Sequence, residues 1–218
     1  MRKFGLTLAL LFLFVISISG QFLFGFDSYN EERKQENLQP IQSRVEYLSS
    51  GHFVSSVAEN MESEFLQMGL FVILTVYLYQ KGSSESKKLP EEKTAEDLDK
   101  DKIEKEFNSK KRKAHPVLWP IYEYSLTLAL LILFILFFFL HGYGSALHIN
   151  EQKLAHGEPA IPFWNVFSES EFWFESFQNW QSEFFSIISL SLLSIFLRQH
   201  DSAQSKKMSD PNWKTGSD

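Results

Sequence analysis

The string LTLALL occurs twice, inside FGLTLALLFLF at Phe4–Phe14 and inside YSLTLALLILF at Tyr124–Phe134. Leucine is common in apolar helices, so six shared letters decide little. Their surroundings decide more. At an offset of 120, Leu6, Thr7, Leu8, Ala9, Leu10, Leu11, Leu13 and Phe14 each meet an identical residue, and beyond the apolar run Asn30 and Glu31 meet Asn150 and Glu151. At an offset of 119, Phe53–Lys88 aligns with Phe172–Lys207, and 12 of the 36 positions are identical. Many of these matches are polar, including Asn60/Asn179, Ser63/Ser182, Glu64/Glu183, Gln80/Gln199 and the pairs Lys87-Lys88/Lys206-Lys207. Pro40 meets Pro159 at the second offset. That predicts a one-residue insertion in the loop between Glu31 and Pro40, where such changes are tolerated. The chain reads as a tandem duplication of a two-helix unit, joined by a charged linker.

Phe4–Phe26 is 23 residues without a charge, and Tyr124–Asn150 is 27 uncharged residues broken only by His141 and His148. A helix needs about 20 residues, at ~1.5 Å each, to cross ~30 Å of hydrocarbon. Both runs are expected to span a membrane. Phe65–Gln80 and Phe184–Leu197 are shorter, at 16 and 14 residues. Each fits a buried helix of a soluble protein, or a membrane helix with polar outer turns that begins near Asn60 or Gln178. Positions 163–180 are rich in Phe and Trp and 53–62 open with Phe53; both are expected to lie at a membrane interface. Met1–Gln21 also has the marks of a signal peptide, with Arg2 and Lys3, an apolar core, and SISG before Gln21. The second copy starts with an internal helix, so the first is expected to retain its own. The expected architecture is all-α and polytopic: four transmembrane helices, arranged as two tandem hairpins with amphipathic segments on the outer face. The boundaries are 1–81 for the first hairpin, 82–120 for the linker, 121–200 for the second hairpin and 201–218 for a polar tail.

The mean hydropathy of -0.16 looks hydrophilic only because apolar and charged blocks average out. There is no Cys, hence no disulfide framework, thiol nucleophile or thiolate-held cluster. A net charge of -6 gives no reason to expect a nucleic-acid partner. Under the four-span topology, 17 of the 21 basic residues fall in the N-terminus, the linker and the tail. The positive-inside rule then places both termini and the linker in the cytoplasm and both long loops outside. Within the linker, Glu91–Lys113 suits a solvated helix with i,i+4 charge pairs. Lys110, Lys111, Arg112 and Lys113 precede the third span. They suit contact with anionic lipid headgroups, at about 1 kcal/mol per basic residue, or serve only as the positive-inside signal.

Three stretches resemble a bacterial family of uncharacterised membrane proteins: Tyr29-Asn30-Glu31-Glu32, Ser50-Gly51-His52-Phe53 and Asn60-Met61-Glu62-Ser63-Glu64-Phe65-Leu66-Gln67. That family is catalogued as a domain of unknown function. The likeness is closest over Phe4–Lys88, and Asn179-Trp180-Gln181-Ser182-Glu183-Phe184 follows the pattern more loosely. The resemblance implies a bacterial inner-membrane location and four helices. It implies no activity, cofactor or catalytic residue.

No phosphate-binding loop, dinucleotide fingerprint, zinc-protease helix or nucleophile elbow is present. The six histidines are scattered, and no two stand at i,i+3 or i,i+4. His141 and His148 lie seven apart on one helix, stacked two turns apart and poorly placed to grip a haem between them. No cofactor and no metal ligand set is expected. The candidate that remains is the repeated N-x-x-S-E-F, at Asn60, Ser63, Glu64 and at Asn179, Ser182, Glu183, with Gln21 and His141 at equivalent depth on the first and third spans. One reading is a proton- or cation-accepting site, because a carboxylate just inside a membrane must be paired, hydrated or protonated. The other reading is structural: caps at the positive end of a short span, or interhelical hydrogen bonds. Two function classes follow. One is a non-enzymatic structural or interaction protein, associating with lipids, with itself or with another membrane protein. The other is a small transporter or channel using Glu64 and Glu183.

Overall fold

The computed structural model describes residues 4–216, and among these the chain is helical with no strand. The helices are α1 (Gly5–Gln35), α2 (Arg44–Tyr47), α3 (Gly51–Tyr77), α4 (Ala95–Ala114), α5 (Leu118–Glu123), α6 (Ser125–Ala155) and α7 (Ser170–Phe196), with 3-10 turns at Pro90–Glu92 and Phe163–Ser168. Two of them, α1 and α6, are long and apolar enough to cross a membrane.

Both α1 and α6 run past their apolar stretches and stop in the same way. Asn37 (φ 60) and Gly157 (φ 76) take the left-handed conformation. The amide of Leu38 then donates to Arg33 O at 2.7 Å and that of Glu158 to Lys153 O at 2.8 Å, the six-to-one bond of a Schellman stop. Each following loop is tied back by an asparagine. Asn30 receives the Ile41 amide at 2.8 Å and donates to the Ile41 carbonyl at 3.1 Å. Asn150 does the same to Ile161, at 2.7 and 3.0 Å. These matched contacts hold the offset of 120 through Ile41, so the register changes later than the Glu31–Pro40 loop where the alignment predicts it.

α3 and α7 are each 27 residues long. The segment at 53–62 forms the first turns of α3 and is continuous with the rest of that helix. In the second copy, Phe163–Ser168 is a 3-10 turn and 170–180 opens α7. No proline interrupts either helix. In their opening turns Ser55 and Glu62 of α3 are buried against partners on α6, while Ser176 Oγ of α7 is buried without a hydrogen-bond partner among the described residues.

The chain divides into two compact units. The first comprises the residues up to Glu62 together with Leu136–Ser176, and the second Ser63–Ile135 together with the residues from Phe177 onward. Within the first unit, α3 and α6 pack antiparallel at very close range. A Cβ on Gly144 would come within 2.3 Å of the Ser55 nitrogen, and one on Gly51 within 2.4 Å of the His148 nitrogen. Glycine at both positions lets the backbones touch, and Ser55 and Ser145 bridge the contact at 2.9 Å. Tyr47 and Val166, at equivalent places in the two copies, are both fully buried.

In the second unit, Gln67 reaches the Glu183 carbonyl at 3.5 Å. The turn after α3 places Gly82 at φ 83, and its amide donates to Thr215 Oγ1 at 2.9 Å. The Lys206 ammonium, 2% exposed, donates to the carbonyls of Gly82, Asn212 and Lys214 at 2.5, 2.9 and 3.1 Å. The amides of Gln80 and Gln199 each donate to a serine six residues on, Ser86 and Ser205, at 2.9 Å. The linker helix α4 begins at Ala95, not Glu91, because Thr94 caps it by accepting from the Asp97 amide at 3.3 Å. Glu96–Lys100 and Glu106–Lys110 supply the expected i,i+4 pairs at 2.6 and 2.7 Å. Three of the four basic residues are engaged by nearby side chains. Arg112 pairs with Glu123, Lys110 with Glu106, and Lys111 lies over the rings of Phe107 and Trp119 at 5.5 and 5.9 Å.

Candidate functional site

In the first unit, His141 stands at the start of the H-G-Y-G segment of α6, one turn before the glycine contact with α3. That contact brings its imidazole against the carboxylates of α3. His141 and Glu62 are both completely buried, with His141 Nδ1 at 2.8 Å from Glu62 Oε2. On the other edge of the ring, Nε2 lies 3.3 Å from Glu175 Oε2 of α7 and 3.8 Å from Glu59 Oε2 of α3. Phe172 stacks on the ring face with centroids 4.5 Å apart. The side chains of Glu59 and Glu175 are 19% and 32% exposed, so the Nε2 edge faces the more open side. One ligand atom from each of Glu59, His141 and Glu175 lies within 4.8 Å of the others.

The tautomer follows from the partners. An ionised Glu62 carboxylate only accepts, so Nδ1 carries the hydrogen of that bond. Nε2 then presents either a lone pair or a proton toward two further carboxylates. Chemically, that edge can accept a proton or offer donor atoms to a metal cation.

A second polar group lies in the same unit. Glu32 of α1 approaches His148 Nε2 at 3.1 Å and His52 Nε2 at 4.0 Å. The Tyr47 hydroxyl meets His52 Nδ1 at 3.0 Å. Arg33 and Tyr29 both bind Glu151. Burial and the neighbouring Glu32 push the Tyr47 phenol up to about 12. Burial, reinforced by His148 close by, lowers the His52 imidazole from its ordinary value.

Of the residues singled out in the sequence, His141 is at the centre of the cluster. Gln21 is not part of it: its Nε2 donates to Ser56 Oγ at 3.1 Å. Asn60 is exposed and donates to the Ser56 carbonyl at 2.6 Å, while Ser182 donates to the Asn179 carbonyl at 2.8 Å. Both are contacts within a helix. In the second unit, Ser63 is buried, Glu64 is exposed, and Glu64 and Glu183 stand within electrostatic reach of each other. Ser63 and Glu64 lie in the second unit together with Asn179, Ser182 and Glu183, and Asn60 in the first.

Glu59, Glu62 and Glu175 were missed as site residues by the search for identities between the copies. The signal that finds them is difference. At the two offsets, His141 corresponds to Gln21, Glu175 to Ser56, Glu59 to Gln178 and Glu62 to Gln181. At these offsets the Gln21–Ser56 bond corresponds to the His141–Glu175 contact.

The sequence model of a family described as a domain of unknown function (DUF6766) matches residues 1–217. No curated protein and no solved structure matches the chain.

Proposed function

The chain belongs to that family, and from this premise we propose that it is a four-span membrane protein that holds a cation at the His141, Glu59, Glu62 and Glu175 cluster. The observation carrying the reading is a fully buried histidine with carboxylates at both ring nitrogens. A pair buried only for stability is weak value for a fold, since its desolvation rivals its attraction. Three carboxylates around one imidazole suit the binding of positive charge instead.

The spans are α1, the inner part of α3 from Asn60, α6, and α7 from Gln178. Exposed apolar side chains along all four support this, among them Leu10, Phe14, Leu74, Ile132, Ile188 and Leu193. Lipid is the solvent that tolerates such surfaces. The matched asparagine clamps and serine turns support a tandem duplication, and the basic residues support cytoplasmic termini and linker. A bacterial inner-membrane location accords with the resemblance. His141 lies 17 residues after Tyr124, about 25 Å along the helix axis. The cluster then sits near the outer end of the hydrocarbon layer. The protein is read as a binding protein without catalysis. This keeps the carboxylate-lined cation site of the transport reading but places it at Glu59, Glu62 and Glu175 instead of Glu64 and Glu183.

The test is thermal unfolding of the full chain in detergent, from pH 5 to 8 and with Na⁺, Mg²⁺, Mn²⁺ or Zn²⁺, for wild type and His141→Gln. A bound cation stabilises the state that binds it. At least one cation, the proton included, should raise the wild-type midpoint and leave that of the variant unmoved. Identical responses in both proteins would overturn the proposal.

A further inference from the structure

We infer that the cation is a divalent first-row metal, bound by His141 Nε2 and by carboxylate oxygens of Glu59 and Glu175, with Glu62 holding the imidazole from behind. The inference rests on the cluster being a cation site and names the class of cation.

The geometry separates a metal from a proton. A proton on Nε2 is satisfied by one acceptor, and Glu175 at 3.3 Å already provides it. The second carboxylate, Glu59 at 3.8 Å, adds nothing to that bond but completes a ligand set. Around zinc, with ligands at about 2.0–2.2 Å, tetrahedral donors stand about 3.4 Å from one another. The histidine-to-carboxylate distances of 3.3 and 3.8 Å fit this, and all three donor atoms lie within 4.8 Å of one another. Closing the widest gap needs about 1 Å of carboxylate rotation, which the partly exposed ends of Glu59 and Glu175 allow. The one-nitrogen, two-oxygen donor set suits zinc, manganese or ferrous iron.

Glu62 completes the arrangement. A metal-binding histidine commonly donates its other N–H to a carboxylate, which fixes the ring and raises its basicity. His141 Nδ1 donates to a carboxylate that is entirely buried. The ligands come from α3, α6 and α7, so one ion would join three helices. Glu175, with its side chain 32% exposed, lies on the open edge of the site.

The duplication provides the control. Gln21 and Ser56 occupy the positions equivalent to His141 and Glu175 and are bonded to each other. The double variant His141→Gln/Glu175→Ser therefore installs a pair the protein already accommodates. The full chain in detergent is stripped with a chelator, then titrated with Zn²⁺ against a chromophoric competitor. Wild type should bind one zinc per chain and release protons as it does so. The double variant, with helicity unchanged by circular dichroism, should lose that site. Glu62→Gln should weaken it about 10–100-fold, and Glu64→Gln should leave it intact. Absence of zinc binding by wild type, or equal affinity in the double variant, overturns the metal assignment. If the response of wild type to pH, Na⁺ or Mg²⁺ still exceeds that of His141→Gln, the broader cation reading survives. If it does not, both fall together.

Discussion

Tyr47 shows how much one side chain carries in the first unit. Its ring is completely buried, and its hydroxyl contacts His52 at 3.0 Å. It also stands so close to Gly25 that a Cβ there would come within 2.3 Å of the hydroxyl oxygen. In the folded chain its phenol is pushed up to about 12, whereas an unfolded tyrosine ionises near 10. The unfolded state therefore gives up its proton first. The stabilising effect of the neutral phenol is intact below about pH 10 and is lost as pH rises toward 12, by on the order of 2 kcal/mol. Tyr47→Phe should be less stable at pH 8 through the lost hydrogen bond, by about 1 kcal/mol. Its midpoint should then fall less than that of wild type between pH 9 and 11.5, and thermal unfolding in detergent would measure both. Residues such as Glu59, Glu62 and Glu175 were hard to read from sequence for a common reason. Identity between the two aligned halves marks what both do alike: Asn30 and Asn150 tie loops, Gln80 and Gln199 begin turns. The carboxylates around His141 occur in one arrangement only, so at the offsets they fall on non-identical residues.

At the scale of elements, glycines decide how closely helices meet. On α6, Gly142 and Gly144 differ in what a methyl group would strike. At Gly144 it meets the α3 backbone at Ser55, 2.3 Å from nitrogen and 2.7 Å from Cα, while at Gly142 it meets the edge of the Phe167 ring at 2.9 Å. A ring can turn and a helix backbone cannot move alone. Gly144→Ala should destabilise the protein by about 1–3 kcal/mol, as overpacking does, and Gly142→Ala by clearly less. Because α3 carries Glu59 and Glu62, Gly144→Ala should also weaken cation binding. Equal midpoints for the two variants would refute this account of the crossing. The long apolar runs of α1 and α6 were legible because composition alone marks them. The opening turns of α3 and α7 were not. Their aromatic and polar residues look interfacial until the partners that bury them are known, and those partners lie some 80 positions away, as with Glu62 and His141.

For the whole molecule, the absence of cysteine is an experimental convenience. Single cysteines introduced at exposed positions report their side of the membrane through an impermeant thiol reagent. Under the four-span proposal, cysteines replacing Gln42 and Glu158 should label from outside intact cells. Cysteines replacing Ser109 and Lys207 should label only after the membrane is opened. External labelling at Ser109 would exclude a cytoplasmic linker.

The Gly82 turn also bears on the order in which the protein is made. Its carbonyl is met by a lysine 124 residues later and its amide by a threonine 133 residues later. At roughly 5–20 residues per second, these groups await their partners for about 6–25 seconds after leaving the ribosome. The second unit is thus fastened last, by Lys206 and Thr215, and the growing chain carries this turn open until they are made.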